Sequence, residues 1–361
     1  MLVPVAVLAI LVIMGLASRS LFGTANRPVF LVLLILVLLV MSGLRSETVG
    51  MDTQRYYASF NDFLTMDREE AAEFISTQKD AGYYWFSWAF GKVIPDVHVW
   101  FMFVSAVYLI GIALVCYWES PDYAFSMLYM YTMGMFFFSM TGLRQALAMG
   151  IALTSYAFLA KRQFIPFVII VGIASIFHKS AIAFMFIYPI ARMRSGWLRL
   201  VLIMGFFLLI IAFKDSVARW VFNILPDSLL DARLSGYVGS EKRLTASGFV
   251  IQLLMFVFCL RYRSRIVADE PHREVLYNLA SVSLVFQAAA MAFAEFFRVG
   301  MYFGWSFMVL IPICMQYEAK DRSYEFIRMA VMVALIAYFF YSTVKSYGVT
   351  PYSFFWEGSV I

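Results

Sequence analysis

Apolar stretches of near-spanning length recur along the whole chain. They fall at 2–16, 28–43, 97–117, 123–140, 144–160, 163–177, 180–190, 198–213, 246–260, 275–297, 299–317 and 327–342. A straight membrane helix needs ~20 apolar residues, and in lipid only helices and closed barrels satisfy every backbone N–H and C=O. Several of the runs are shorter, and flanking Ser, Thr, Tyr and Trp extend them. Of the 361 residues, 63% are hydrophobic and 14% are charged, where soluble domains are about a quarter charged. The expected fold class is an all-α polytopic integral membrane protein forming one membrane domain over residues 1–361, with about eleven or twelve transmembrane helices, some short or broken. The run from Leu2 to Leu16 has no basic segment ahead of it and reads as a first membrane helix, not a cleaved signal peptide.

Residues 163–190 decide the topology. They form either one long tilted helix with His178-Lys179-Ser180 inside it, or two short helices that meet at a break there. With the break, Arg19/Arg27, Lys161/Arg162, Arg192/Arg194/Arg199, Arg261/Arg263/Arg265 and Lys320/Arg322 all fall on one side in short loops, the positive-inside pattern. The net charge of +5 reports orientation and contact with anionic headgroups, and gives no reason to expect nucleic acid. The broken topology puts both termini and two long loops on the outer side. The loop 44–82 is acidic, and its DREEAAEFISTQKD reads as an amphipathic surface helix; the aromatic YYWFSWAFGKVI at 83–94 reads as a short re-entrant or interfacial helix. The loop 214–245 is basic, with Lys214, Arg219, Arg233, Lys242 and Arg243. Connections this long are usually functional or disordered.

Ionisable groups within apolar runs are costly in lipid and therefore point to function. Arg144 and His178 are the clearest. Arg144 offers five donors in a fixed fork and stays charged, which suits a phosphate or diphosphate at headgroup depth. The bland alternative for it is snorkelling or pairing with Glu295. Gln145 follows it, and Ala146, Ala148 and Gly150 leave room for close packing or a substrate. His178 can act as a base near neutral pH, with Lys179 adding positive charge beside it, or it is a satisfied structural histidine where two helices meet. Asp52 is placed to cap a helix, with Tyr56 one turn on and Arg55 between them; the functional alternative is a carboxylate held among aromatics for sugar hydroxyls. Arg233, Tyr237, Glu241, Lys242 and Arg243 form a mixed polar patch that either binds diphosphate and sugars or is simply a solvated loop. Glu295 and Arg298 are spaced for an i,i+3 ion pair, followed by Tyr302, and are also candidates to line a site. Cys116, Cys259 and Cys314 read as buried small hydrophobes. The chain has no phosphate-binding GxxxxGK[ST] loop and no HExxH or other zinc spacing, so the donor energy comes with the substrate or from a gradient.

Four segments carry a resemblance: RSETVGMDTQRYYASF at 45–60, GLRQALAMGIAL at 142–153, FHKSAIAFMF at 177–186 and VTPYSFFWEG at 349–358. Together they resemble the EpsG family, the Wzy-like polymerases of bacterial exopolysaccharide and O-antigen synthesis. The resemblance implies a transferase of the bacterial plasma (inner) membrane that joins undecaprenyl-diphosphate-linked oligosaccharide repeat units, with no metal or other cofactor expected. It also implies a flippase that delivers the units and a chain-length regulator as partners. On that reading Arg144, Lys179 and the pair Lys242/Arg243 meet the diphosphate, with Arg45, Arg55, Gln145, Arg298 and Tyr302 as further binding groups. His178 or Asp52 takes the acceptor proton, Tyr237 is a further binding group, and Tyr56, Tyr57, Tyr83, Tyr84 and Trp85 either stack on sugars or anchor the loop. Three other readings compete: a membrane O-acyltransferase acting on sugars, a lipid-linked oligosaccharide transporter, and a non-catalytic assembly component.

Overall fold

The computed structural model describes residues 1–21, 27–191, 193–224, 246–318 and 323–357. Among them the secondary structure is almost wholly helical. The helices are α1 (Leu2–Leu21), α2 (Arg27–Gly43), α3 (Thr53–Thr65), α4 (Arg68–Ser76), α5 (Ala81–Val93), α6 (Val97–Glu119), α7 (Tyr123–Thr132), α8 (Met135–Thr141), α9 (Leu143–Thr154), α10 (Tyr156–Ala160) and α11 (Phe164–Phe177). A 3-10 helix, Lys179–Phe186, follows, and then α12 (Ile187–Ile190), α13 (Trp197–Ile224), α14 (Ser247–Asp269), α15 (Glu274–Ala289), α16 (Glu295–Gly304), α17 (Ser306–Glu318), α18 (Ser323–Tyr338) and α19 (Val344–Ser346).

Three spans among the described residues are long and apolar enough to cross a membrane, Val97–Glu119, Leu143–Ala160 and Glu325–Ser346, and a fourth forms if α16 and α17, bent by 42°, count as one. Leu2–Leu16, Pro28–Gly43, Phe164–Phe177, Lys179–Ile190 and Trp197–Phe213 are shorter apolar helices. The run at 123–140 is two helices, because Gly134 takes a φ of 83° between α7 and α8. The long region 163–190 is broken at His178, whose backbone is extended at φ −156° and ψ 116°. DREEAAEFISTQKD contains α4, where the Asp67 side chain accepts from the Glu69 and Glu70 amides and Glu70 accepts from the Asp67 amide, a capping box.

Packing gathers the described residues into two compact units, one of residues 1–185 with 315–361 and one of 186–314. In the first, α6 and α9 touch backbone to backbone. A Cβ added to Gly111 would lie 2.4 Å from the Gly150 carbonyl oxygen, and one on Gly150 would lie 2.5 Å from that of Val107. This is the small-residue contact by which membrane helices approach closely. The Ser42–Ser105 hydroxyl contact (2.5 Å) joins α2 to α6, and the Tyr131 hydroxyl donates to the Pro4 carbonyl (2.7 Å) between α7 and α1. The segment after α19 lies along the turn after α2, through Ser46 N–H to Ser353 O, Phe355 N–H to Leu44 O and Gly50 N–H to Gly348 O.

In the second unit, Phe207 of α13 stacks on Phe249 of α14 at 3.9 Å. The Asn278 amide of α15 donates to the Ala191 and Met193 carbonyls, and Glu274 pairs with Arg263. The Tyr277 hydroxyl donates to the Cys259 carbonyl at 3.0 Å. Cys116, Cys259 and Cys314 are all buried, and none is in a disulfide.

Candidate functional site

An aromatic core positions the site. Tyr56, Phe60 and Phe63 of α3, Ala71 and Ile75 of α4, Tyr83 and Tyr84 of α5, and Trp100, Phe101 and Val104 of α6 pack as one buried cluster with Leu143 and Leu147 of α9. The rings meet mostly edge to face or tilted, as Tyr56–Tyr83 does at 5.6 Å, an arrangement their quadrupoles favour. Between α4 and α5 the chain turns at Asp80, which adopts a left-handed φ of 61°. Asp is one of the few non-glycine residues enriched there. Two residues on, Gly82 lies against the end of α11: a Cβ on it would come within 2.5 Å of the Ile176 carbonyl oxygen. That close approach brings the loop of Asp80 to the break at His178.

The Asp80 carboxylate is the centre of the arrangement. Oδ2 stands 2.8 Å from His178 Nδ1 and 3.1 Å from Arg144 Nη1. Oδ1 accepts from the Lys179 amide at 3.0 Å, so the same carboxylate caps the start of the 3-10 helix. The Arg144 Nε donates to the Tyr56 hydroxyl (3.3 Å), Nη1 also donates to the Lys79 carbonyl (3.1 Å), and the guanidinium lies 5.7 Å from the centre of the Tyr84 ring. Arg144 occupies the first turn of α9, where the helix dipole disfavours a cation. Asp80 supplies the compensating anion.

Exposure is graded across the cluster: the Asp80 side chain is 5% exposed, His178 18% and Arg144 20%. Burial pushes the Asp80 pKa up, but the hydrogen bond and charge of His178, the Lys179 amide and the charge of Arg144 outweigh it and hold the carboxyl below its ordinary value. Tyr56 moves the other way: burial pushes its hydroxyl up despite the neighbouring Arg144. Neither Arg144 Nη2 nor His178 Nε2 makes a hydrogen bond with a described residue. One guanidinium nitrogen and one imidazole nitrogen on partly exposed side chains are thus available to a ligand.

Of the residues singled out from sequence, Arg144, His178, Lys179 and Tyr56 come together. Arg144 pairs with Asp80, while Glu295 pairs with Arg298 (3.4 Å) in the i,i+3 manner. Asp52 stands at the start of α3, one turn before Tyr56, but its side chain makes no capping hydrogen bond; the turn closes through backbone, Tyr56 N–H to Asp52 O. Arg55 is exposed and donates to Gln78 (3.3 Å). Gln145 is buried, with its amide 3.8 Å from the Met149 sulfur. Arg45 is fully buried: it donates to the Ser42 and Met140 carbonyls and lies 4.6 Å from the centre of the Phe101 ring, and burial lowers its pKa to about 10. Tyr83 and Tyr84 are core residues, while Tyr57 and Trp85 lie at the cluster's edge. Arg298 is exposed and Tyr302 is buried, both in α16 of the second unit. Arg233, Tyr237, Glu241, Lys242 and Arg243 lie outside the described residues.

The residue that sequence reasoning passed over is Asp80. It is one of eight acidic residues in the loop 44–82, and nothing in its spacing sets it apart. The only local signal is its place in KDAGYY, just before a glycine and an aromatic helix. Among the described residues no group of three or more His, Cys, Asp or Glu side chains is arranged to hold a metal ion. Residues 29–354 match the EpsG family. Comparison with curated proteins and with solved structures gives no match.

Proposed function

We propose, from the premise that the chain belongs to the EpsG family, that it polymerises lipid-diphosphate-linked oligosaccharide repeat units at the extracytoplasmic face of the bacterial plasma membrane, using the site around Asp80. The family assignment supports a membrane protein of polysaccharide synthesis. The glycosyl-transfer step is read from the chemistry of the residues.

The donor is a sugar chain held through its anomeric carbon to an undecaprenyl diphosphate. The acceptor is a hydroxyl on the next lipid-linked unit. The acceptor oxygen bonds to the anomeric carbon, the bond from that carbon to the diphosphate oxygen breaks, and the lipid diphosphate departs with the electron pair. The hydroxyl proton passes to a base. His178, with Nε2 open, is the base of choice, and Arg144 is placed to stabilise the charge growing on the diphosphate. The exposed Lys179 adds a second cation at the same turn. Asp52, half-buried one turn before Tyr56, suits hydroxyl groups of the sugar. Arg45 is given a different part: it clamps the end of α2 to the end of α8 and does not touch substrate.

The observation that carries this reading is the convergence of Arg144 and His178 on one buried carboxylate, each keeping a nitrogen open. The test is reconstitution of the purified protein in liposomes with lipid-linked repeat units, with products resolved by size. A ladder longer than one unit is expected. Arg144→Ala should lower the rate by about 10²–10³-fold and His178→Ala by about 10²–10⁴-fold, with both proteins still folded. Wild-type protein that only moves the lipid-linked unit across the bilayer would establish a transporter instead.

A further inference from the structure

An imidazole can act as a base through either nitrogen, and the partner of the other nitrogen decides which. Here Nδ1 faces a carboxylate oxygen at 2.8 Å. An ionised carboxylate only accepts. Asp80 has every reason to be ionised: Oδ2 also receives Arg144 Nη1, Oδ1 receives the Lys179 amide, and a protonated carboxyl would set a donor against one of these donors. Nδ1 must therefore carry the proton, which leaves the lone pair on Nε2.

From this geometry we propose that Asp80 is the positioning residue of the site. It locks His178 in the tautomer whose Nε2 is the basic atom, and holds Arg144 beside it through Nη1, leaving Nη2 for a ligand. The inference rests on the polymerase reading for its catalytic meaning, while the tautomer stands independently of it. The backbone leaves the carboxylate little latitude. Asp80 is left-handed at φ 61°, and Gly82 is seated against the Ile176 carbonyl, so the carboxylate cannot drift from the break at His178. The other charged or titratable groups of the cluster come from separate elements: Arg144 on α9, which meets Tyr56 on α3 and Tyr84 on α5, and Lys179 on the 3-10 helix. Among the described residues, only Asp80 offers a carboxylate to the ring.

The chain has three histidines, so ¹⁵N-histidine labelling of the membrane-embedded protein gives few resonances, and His178→Ala assigns the one of interest. With the ring neutral, the wild type should show a protonated Nδ1 and a bare Nε2. Asp80→Asn should move population to the Nε2–H form, because the amide can donate to Nδ1 where a carboxylate cannot. In the reconstituted assay Asp80→Asn should lower kcat by about a hundredfold, with the KM for the lipid-linked donor changed by less than about threefold. Asp80→Glu, which keeps the charge, should restore the Nδ1–H tautomer and part of kcat. A wild-type His178 protonated on Nε2 would overturn the proposal, as would an Asp80→Asn enzyme with unchanged kcat. Should Asp80→Asn fail to accumulate, the wild-type and Asp80→Glu spectra decide. A wild type with the expected tautomer but no polymer product would sink the polymerase reading alone.

Discussion

One carboxylate does three things in this molecule. Asp80 offsets a cation in the first turn of α9, caps the 3-10 helix after the break, and holds the imidazole between them. Its pKa lies below the ordinary carboxylate value, so its contribution to stability has a definite sign. A group with a depressed folded pKa stabilises fully above its unfolded pKa, about 3.9 for Asp, and the stabilisation is lost as pH falls through the folded value. Thermal unfolding of the wild type and Asp80→Asn in the same detergent checks this. The wild type should unfold at the higher temperature at neutral and mildly acidic pH, and the gap should begin to narrow once pH drops below about 4 and close as pH falls through the lower folded pKa. A gap that persists at lower pH would mean that the carboxylate's charge is not what stabilises. Arg144 and His178 were legible in the sequence because a charge inside an apolar run is conspicuous. Asp80 was not, because a carboxylate in an acidic loop is ordinary until the fold buries it.

At the scale of the elements, the site depends on how closely α9 is held to α6. Arg144 sits six residues before Gly150 on the same helix, and Gly150 has the Val107 carbonyl and the Tyr108 Cα within 2.7 Å of where a Cβ would go. Those neighbours are backbone and cannot swing away. Gly150→Val should push the two helices apart, lower the thermal midpoint and cut activity in the reconstituted assay by about a hundredfold, the loss a 1 Å misplacement causes. A variant with wild-type midpoint and activity would show that α9 reaches its place by other contacts. The break after Phe177 is also an element-scale feature. The apolar run alone would allow one long helix, and the pattern of basic loops favoured a break; the structure has α11 ending at Phe177 and a 3-10 helix beginning at Lys179. The short helix in DREEAAEFISTQKD was readable from the sequence because its amphipathic pattern is local, and the structure adds the capping box of Asp67 and Glu70 at its start, whereas Asp52 occupies the cap position of α3 without making the cap bond.

At the scale of the whole molecule, the polymerase reading needs the turn at His178-Lys179 to face the outer leaflet. The three native cysteines are buried, so a membrane-impermeant maleimide should meet little background. Lys179 is exposed, and Lys179→Cys should be labelled in intact spheroplasts. Labelling only after the membrane is opened would place the turn on the cytoplasmic side and favour a reaction fed by a cytoplasmic donor, such as acyl transfer.

By itself the sequence determined that this chain lives in a membrane as helices, where its apolar runs fall, and which two side chains inside those runs are most conspicuous, because hydropathy and the cost of charge in lipid act residue by residue. The tertiary structure alone decided which carboxylate answers those side chains. Asp80 lies 64 residues from Arg144 and 98 from His178. The seating of Gly82 against α11, the burial of the α3–α5 aromatics and the close packing of α9 on α6 bring the three to hydrogen-bonding distance, and no pattern along the chain encodes that meeting.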